Sequence, residues 1–94
     1  NYQATGVNNA PGKAWKTKYA AVGMNGINLP VLVDGMNEKG MSGGLLYAPN
    51  TAVYQDVAAA DSANSIAGYE MLTYALTNFA TIDEVKEGFK SIMI

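Results

Sequence analysis

The stretch Asp34-Gly35-Met36-Asn37-Glu38-Lys39-Gly40 stands between two apolar runs, Leu29-Pro30-Val31-Leu32-Val33 before it and Met41-Ser42-Gly43-Gly44-Leu45-Leu46-Tyr47 after it. It predicts a tight turn joining two buried strands. Asn37 at the first turn position can accept from a backbone N–H two residues on, and Gly40 at the fourth takes the left-handed conformation cheaply. A type I turn with a Gly bulge is the expected geometry. Outward from the turn, Leu29 to Gly35 reads as one strand, with Pro30 admissible only at its first position or on an edge. Met41 to Ala48 reads as the next. The paired glycines Gly43-Gly44 mark a bulge, or the close approach of another backbone or a ligand.

Upstream, Lys18-Tyr19-Ala20-Ala21-Val22-Gly23-Met24 predicts a further strand, followed by a turn at Asn25-Gly26-Ile27-Asn28, where Asn-Gly tolerates positive φ. Residues 1 to 14, with Gly6, Asn8, Asn9, Pro11 and Gly12 among small polar residues, have loop composition. Downstream, residues 50 to 65 read as loop. Ile66, Tyr69, Leu72, Leu76 and Phe79 then recur at helical spacing, with Ser65 or Asn64 as N-cap. Thr81-Ile82-Asp83-Glu84 has the capping-box pattern, and Asp83 and Glu84 suit the positive end of a helix dipole. Ile82, Val85, Phe89 and Ile92 give the second helix its apolar face. Strands followed by helices predict an α+β fold.

Ninety-four residues, 49% hydrophobic and 15% charged, suffice for one small domain and exclude intrinsic disorder. So apolar a chain suggests the interior of a larger protein. No apolar run reaches the ~18 residues that span a bilayer, so no membrane partner is expected. Six Lys and no Arg face eight carboxylates; Lys13, Lys16 and Lys18 are the only basic cluster, and nucleic acid is not an expected partner. The chain contains no Cys and no His, so disulfides, thiolate metal sites and Ser-His-Asp or Cys-His catalysis cannot be assembled from these residues alone.

Asp34, Glu38 and Lys39 read as solvated turn residues rather than an acid/base group. Asp61, Glu70, Asp83, Glu84 and Glu87 lack metal-site spacing, and Gly40-Met41-Ser42-Gly43-Gly44 matches neither the dinucleotide nor the P-loop pattern. Among Met24, Met36, Met41, Met71 and Met93, at most two are pocket candidates. Tyr47, near the end of its strand, could point a phenol into a cleft or simply sit on a half-buried strand.

Three stretches together resemble the choloylglycine hydrolase family, which contains conjugated bile acid hydrolases and penicillin V acylases. They are Trp15 to Met24, the opening Asp34 to Gly40, and Asn78-Phe79-Ala80-Thr81-Ile82-Asp83-Glu84-Val85-Lys86-Glu87. Asn1-Tyr2 looks like the continuation of a Pro-Arg-Asn-Tyr strand end of that family. The resemblance implies part of an N-terminal-nucleophile hydrolase, an αββα four-layer sandwich, with residues 1–94 a single partial domain internal to the full protein. It implies cleavage of a linear amide, such as a conjugated bile acid or a penicillin V-like substrate, by an N-terminal Cys whose free α-amino group is the base. It implies no cofactor and a homo-tetramer. Tyr47 occupies the position at which acylase-like members carry a Tyr that donates to the oxyanion, where bile salt hydrolases carry Asn. The loops from Asn25 to Pro30 and from Pro49 to Asp56 match segments lining the substrate entrance, which makes Met24, Leu29 and Val33 candidate contacts for an apolar acyl group. The first loop is about two residues shorter than in bile salt hydrolases. The alternative is a non-catalytic α+β binding module that retains the scaffold. Of compartments, the cytoplasm is favoured over the periplasm.

Overall fold

The computed structural model describes all 94 residues. Five strands precede two helices: β1 (Tyr2–Thr5), β2 (Pro11–Trp15), β3 (Ala21–Asn25), β4 (Leu32–Asn37), β5 (Ser42–Gly44), α1 (Met71–Asn78) and α2 (Ile82–Phe89). The fold is α+β, as the order of patterns predicts. No helix is long and apolar enough to cross a membrane.

The expected loop over residues 1 to 14 is instead an antiparallel hairpin, β1 paired with β2. Its turn is Asn8-Asn9, both with positive φ (51° and 62°), closed by Ala10 N–H donating to the Val7 carbonyl at 2.9 Å. Asn tolerates the left-handed region and satisfies a two-residue hairpin turn nearly as well as Gly does. The small polar residues that read as loop are therefore turn and edge residues of a short hairpin.

The second sheet has the order β3-β4-β5, all antiparallel. Its first turn differs from the expected one by two residues: positive φ falls on Ile27 and Asn28 rather than on Asn25-Gly26. The β3 strand begins at Ala21, β4 runs from Leu32 through Asn37, and β5 ends at Gly44, so Tyr47 lies beyond the strand. The Asn37 to Gly40 turn forms as expected, with Gly40 at φ 84° and its N–H donating to the Asn37 carbonyl at 2.9 Å.

Gly23, Gly35 and Gly43 are register neighbours across the three strands. A Cβ on Gly35 would lie 3.4 Å from Leu76 Cδ1, and one on Gly43 would lie 2.9 Å from Leu72 Cδ1. This row of missing side chains lets α1 settle directly onto the sheet, which gives the Gly43-Gly44 pair its close approach; the β4–β5 register is regular there. The opposite face carries Val22, Met24 and Met36, exposed at 76%, 68% and 49%. A sheet with helices on one face and an open apolar face on the other is compatible with half of an αββα sandwich.

Two apolar clusters hold the helices to the sheets. One contains Ala4, Trp15, Ile66, Tyr74 and Ile92; the other contains Met41, Leu72, Ala75 and Leu76. Aromatic rings run through the first: Tyr2 stacks on Trp15 at 4.4 Å, Trp15 meets Tyr74 edge-on at 5.0 Å, and Tyr74 packs on Phe79 and Phe89. The buried indole N–H of Trp15 donates to Thr77 Oγ1 at 3.0 Å.

The helix expected from Ile66 begins later, at Met71, after a single 3₁₀ turn over Gly68–Glu70. Neither Ser65 nor Asn64 caps it. The Ser65 hydroxyl donates to the Ser62 carbonyl, and Asn64 Nδ2 donates to the Ser91 carbonyl. Residues 64 to 66 instead bond to the chain end, Ile66 N–H reaching the Met93 carbonyl and Met93 N–H reaching the Asn64 carbonyl, both at 3.0 Å. The second cap forms as expected. Glu84 N–H donates to Thr81 Oγ1 at 3.2 Å, and Glu84 Oε2 accepts from Ala80 N–H at 2.7 Å. Ile82 is a correction: it is 59% exposed, while Ile92 beyond the helix end is buried. Val85 and Phe89 are the α2 residues that pack against the core, and Ile82 in the first turn is not among them.

Candidate functional site

A cavity of about 720 Å³ opens where four segments meet. Thr5 to Val7, at the end of β1, form one wall. Val33 and Leu45 to Tyr47, at the end of the β4–β5 ladder, form a second. Tyr54, Gln55 and Val57 form a third, and Ser65 to Tyr69, before α1, a fourth. Most of the lining is apolar, and Ile27 from the β3–β4 turn closes one side. Ile27, Tyr54 and Gln55 bring the Asn25 to Pro30 and Pro49 to Asp56 loops to this cavity.

Each wall has a local cause. Val33 is the extra residue of a β-bulge, because Met24 pairs with Asp34 while Asn25 pairs with Leu32. A bulge leaves its extra residue out of the alternation and re-aims the strand. Leu45 N–H still donates to the Val33 carbonyl at 2.8 Å, and the ladder ends there, freeing Leu46 and Tyr47 from the sheet. Tyr47 is 86% exposed and its hydroxyl has no partner within the chain. The Gln55 wall is tied to the chain end: Gln55 N–H donates to the Ile94 carbonyl, and Ile94 N–H to Gln55 Oε1, both at 2.8 Å.

Tyr47 and Val33 therefore come together in one cavity. Leu29 does not join them; it lies in a second cavity of about 380 Å³, with Asn1, Tyr2 and Pro30. Met24 lines neither of the two. It pairs across a regular ladder with Asp34, and cross-strand partners share a face, so it sits on the open face of the sheet.

The residues that sequence reasoning missed are Tyr69 and Glu70. Tyr69 fitted a helical apolar stripe, yet it lies on the wall between the two cavities, its hydroxyl donating to Thr5 Oγ1 at 3.0 Å. Glu70 reads from its spacing only as a carboxylate outside any metal site, and it is 2% exposed. Its Oε2 accepts from Ala67 N–H at 2.8 Å, and its Oε1 from Thr5 N–H at 3.0 Å. The Tyr2 hydroxyl donates to Oε1 at 3.4 Å. Burial, and then the charge and hydrogen bond of Glu70, push the Tyr2 phenol up to about 12. Only a polar residue inside an apolar stripe could have signalled this, and that signal is weak.

A model of the linear amide C–N hydrolases of the choloylglycine hydrolase family matches residues 1–94. The chain belongs to this family. The bile salt hydrolase/transferase of Clostridium perfringens (strain 13 / Type A) is 38% identical over 92 residues, a match covering 94% of this chain and 27% of that relative. The chain thus spans about a quarter of that relative's length. No solved structure matches.

In this member of the family, the residues of the Asp34 to Gly40 motif bond their neighbouring backbone. Glu38 N–H and its Oε1 bond the Ala20 backbone, each at 2.9 Å, and Lys39 lies 5.7 Å over the Tyr19 ring. No group of three His, Cys, Asp or Glu residues is placed to hold a metal ion.

Proposed function

We propose that this chain forms the acyl-binding side of an amidase that hydrolyses a linear amide joining an apolar acyl group to a small polar amine. The substrates in view are conjugated bile acids, glycine- or taurine-linked, and penicillin V-like amides. The observation that carries the reading is the apolar cavity of about 720 Å³ with the unpaired Tyr47 hydroxyl on its wall. The volume suits a bulky acyl group, and few polar atoms line it. The bile salt hydrolase/transferase relative favours the conjugated bile acids within that class.

The nucleophile in this reading is an N-terminal Cys that these 94 residues do not contain. Its thiolate attacks the amide carbonyl, the α-amino group takes the thiol proton and passes it to the leaving amine, and water then releases the acid from the thioester. Tyr47 donates its O–H to the oxyanion of the tetrahedral intermediate, where a single donor is worth ~10²-fold or more in kcat. Val33 contacts the acyl group. Leu29, in the neighbouring cavity, and Met24 on the sheet face reach substrate only if further chain covers them. A homo-tetramer without cofactor belongs to the same reading.

Full-length protein assayed against glycocholate, taurocholate and penicillin V tests this. Release of glycine, taurine or the penicillin nucleus, abolished by thiol alkylation, is the expected result. Absence of any released amine from folded protein, or release that survives alkylation, overturns it and favours a binding module.

A further inference from the structure

Glu70 is a buried carboxylate that the amide-hydrolysis reading leaves without a task. Neither of the ion pairs in the chain involves it. A buried charge held only by neutral donors carries a desolvation cost, so its retention calls for a reason. Its two main donors are the reason. Thr5 and Ala67 stand 62 residues apart in sequence, and both line the large cavity. The carboxylate bonds the two backbones at once, Thr5 N–H at 3.0 and 3.2 Å from its two oxygens and Ala67 N–H at 2.8 Å. Oε2 accepts from both N–H groups and Oε1 adds the shorter bond to Thr5; an amide nitrogen in the place of Oε1 would set its own N–H against the Thr5 N–H 3.0 Å away. Thr5 in turn holds the Tyr69 hydroxyl at 3.0 Å. Thr5 and Tyr69 line both cavities and so form the partition between them.

We propose that Glu70 is a positioning residue for the substrate cavity: its carboxylate locks the Thr5–Val7 wall to the Ile66–Tyr69 wall and, through Thr5, holds Tyr69 in the partition. The width available to the acyl group then depends on a residue that does not touch it. The proposal rests on the cavity being the acyl site.

The test uses the full-length protein with Glu70→Gln. The expected result is a KM for glycocholate raised about 10-fold with kcat within about twofold, the pattern of lost ground-state positioning. Hydrogen exchange reads the lock without any turnover. Thr5 and Ala67 amides exchange at least about 10-fold faster in the variant, while the Met41 amide keeps its wild-type rate, which marks local rather than global opening. Unchanged exchange at Thr5 and Ala67, or equal acceleration at Met41, overturns the proposal. Wild-type protein that releases no amine overturns the proposed function alone, and the exchange comparison still decides the lock. Where Glu70→Gln does not accumulate folded, Tyr69→Phe removes only the partition bond; a KM shift with kcat kept supports the proposal, and an unchanged KM overturns it.

Discussion

Asn37 Nδ2 donates to the Phe79 carbonyl at 2.7 Å, joining the β4–β5 turn to the C-terminal end of α1. The same nitrogen donates to the Leu76 carbonyl at 3.0 Å, and Oδ1 accepts from Lys39 N–H and Met41 N–H at 3.0 and 3.1 Å. A helix end leaves carbonyls without intrahelical partners, and a turn leaves N–H groups to satisfy. One 4%-exposed amide serves both. The turn that reads as a local signature therefore also fixes where the helix sits on the sheet.

Asn37→Ala should destabilise the full-length protein by about 3 kcal/mol, because it orphans buried carbonyls and an N–H together. Urea denaturation measures it. A loss below about 1 kcal/mol would show that water replaces the amide.

Tyr47→Phe should lower kcat by about 10²-fold on glycocholate or penicillin V with KM little changed, since an oxyanion donor acts chiefly in the transition state. Steady-state kinetics decide it, and an unchanged kcat removes Tyr47 from the mechanism.

The glycine row makes a paired prediction. A Cβ on Gly23 would fall 1.9 Å from the Asp34 carbonyl oxygen, whereas one on Gly44 meets nothing within 4 Å. Gly23→Ala should cost about 3 kcal/mol and Gly44→Ala about 0.5 kcal/mol or less. Thermal melts of the two variants compare them directly.

The Tyr2 phenol, pushed up to about 12 by burial and by Glu70, makes stability depend on pH at the alkaline end. The unfolded phenol titrates near 10, so the stabilisation is fully present below pH 10 and is lost as pH rises towards 12. Tyr74, also raised by burial, adds a slope of the same sign. Tyr2→Phe should flatten part of the decline between pH 10 and 12 in denaturation curves; an unaltered slope would assign it elsewhere.

Local patterns were legible wherever a few neighbouring residues decide the outcome. The Asn37 to Gly40 turn and the Thr81 cap follow from side chains that bond their own backbone. The β1–β2 hairpin was not legible, because Asn8-Asn9 is as good a loop signal as a turn signal and the paired residues are few and small. The late start of α1 was not legible either. Ile66 belongs to the apolar stripe, but the backbone at Ser65 and Ile66 bonds to Met93 instead of beginning a helix. The candidate site divided in the same way. Tyr47 and Val33 share a cavity, whereas Met24 and Leu29 are parted from it by a register and a bulge that sequence spacing does not specify.

By itself the sequence determined the α+β order, the Asn37 to Gly40 turn, the Thr81 cap, and the resemblance carried by Asp34 to Gly40. Those are short-range matters: propensity, turn chemistry and side-chain-to-backbone bonds within four residues. The tertiary structure alone decided that Asn37 serves the helix as well as the turn, and that glycines in three strands align in one row, Gly35 and Gly43 of them against α1. It also decided that Glu70 is buried against Thr5 and Ala67. Each depends on groups tens of residues apart meeting at hydrogen-bond or van der Waals distance, and only the packed chain brings them there.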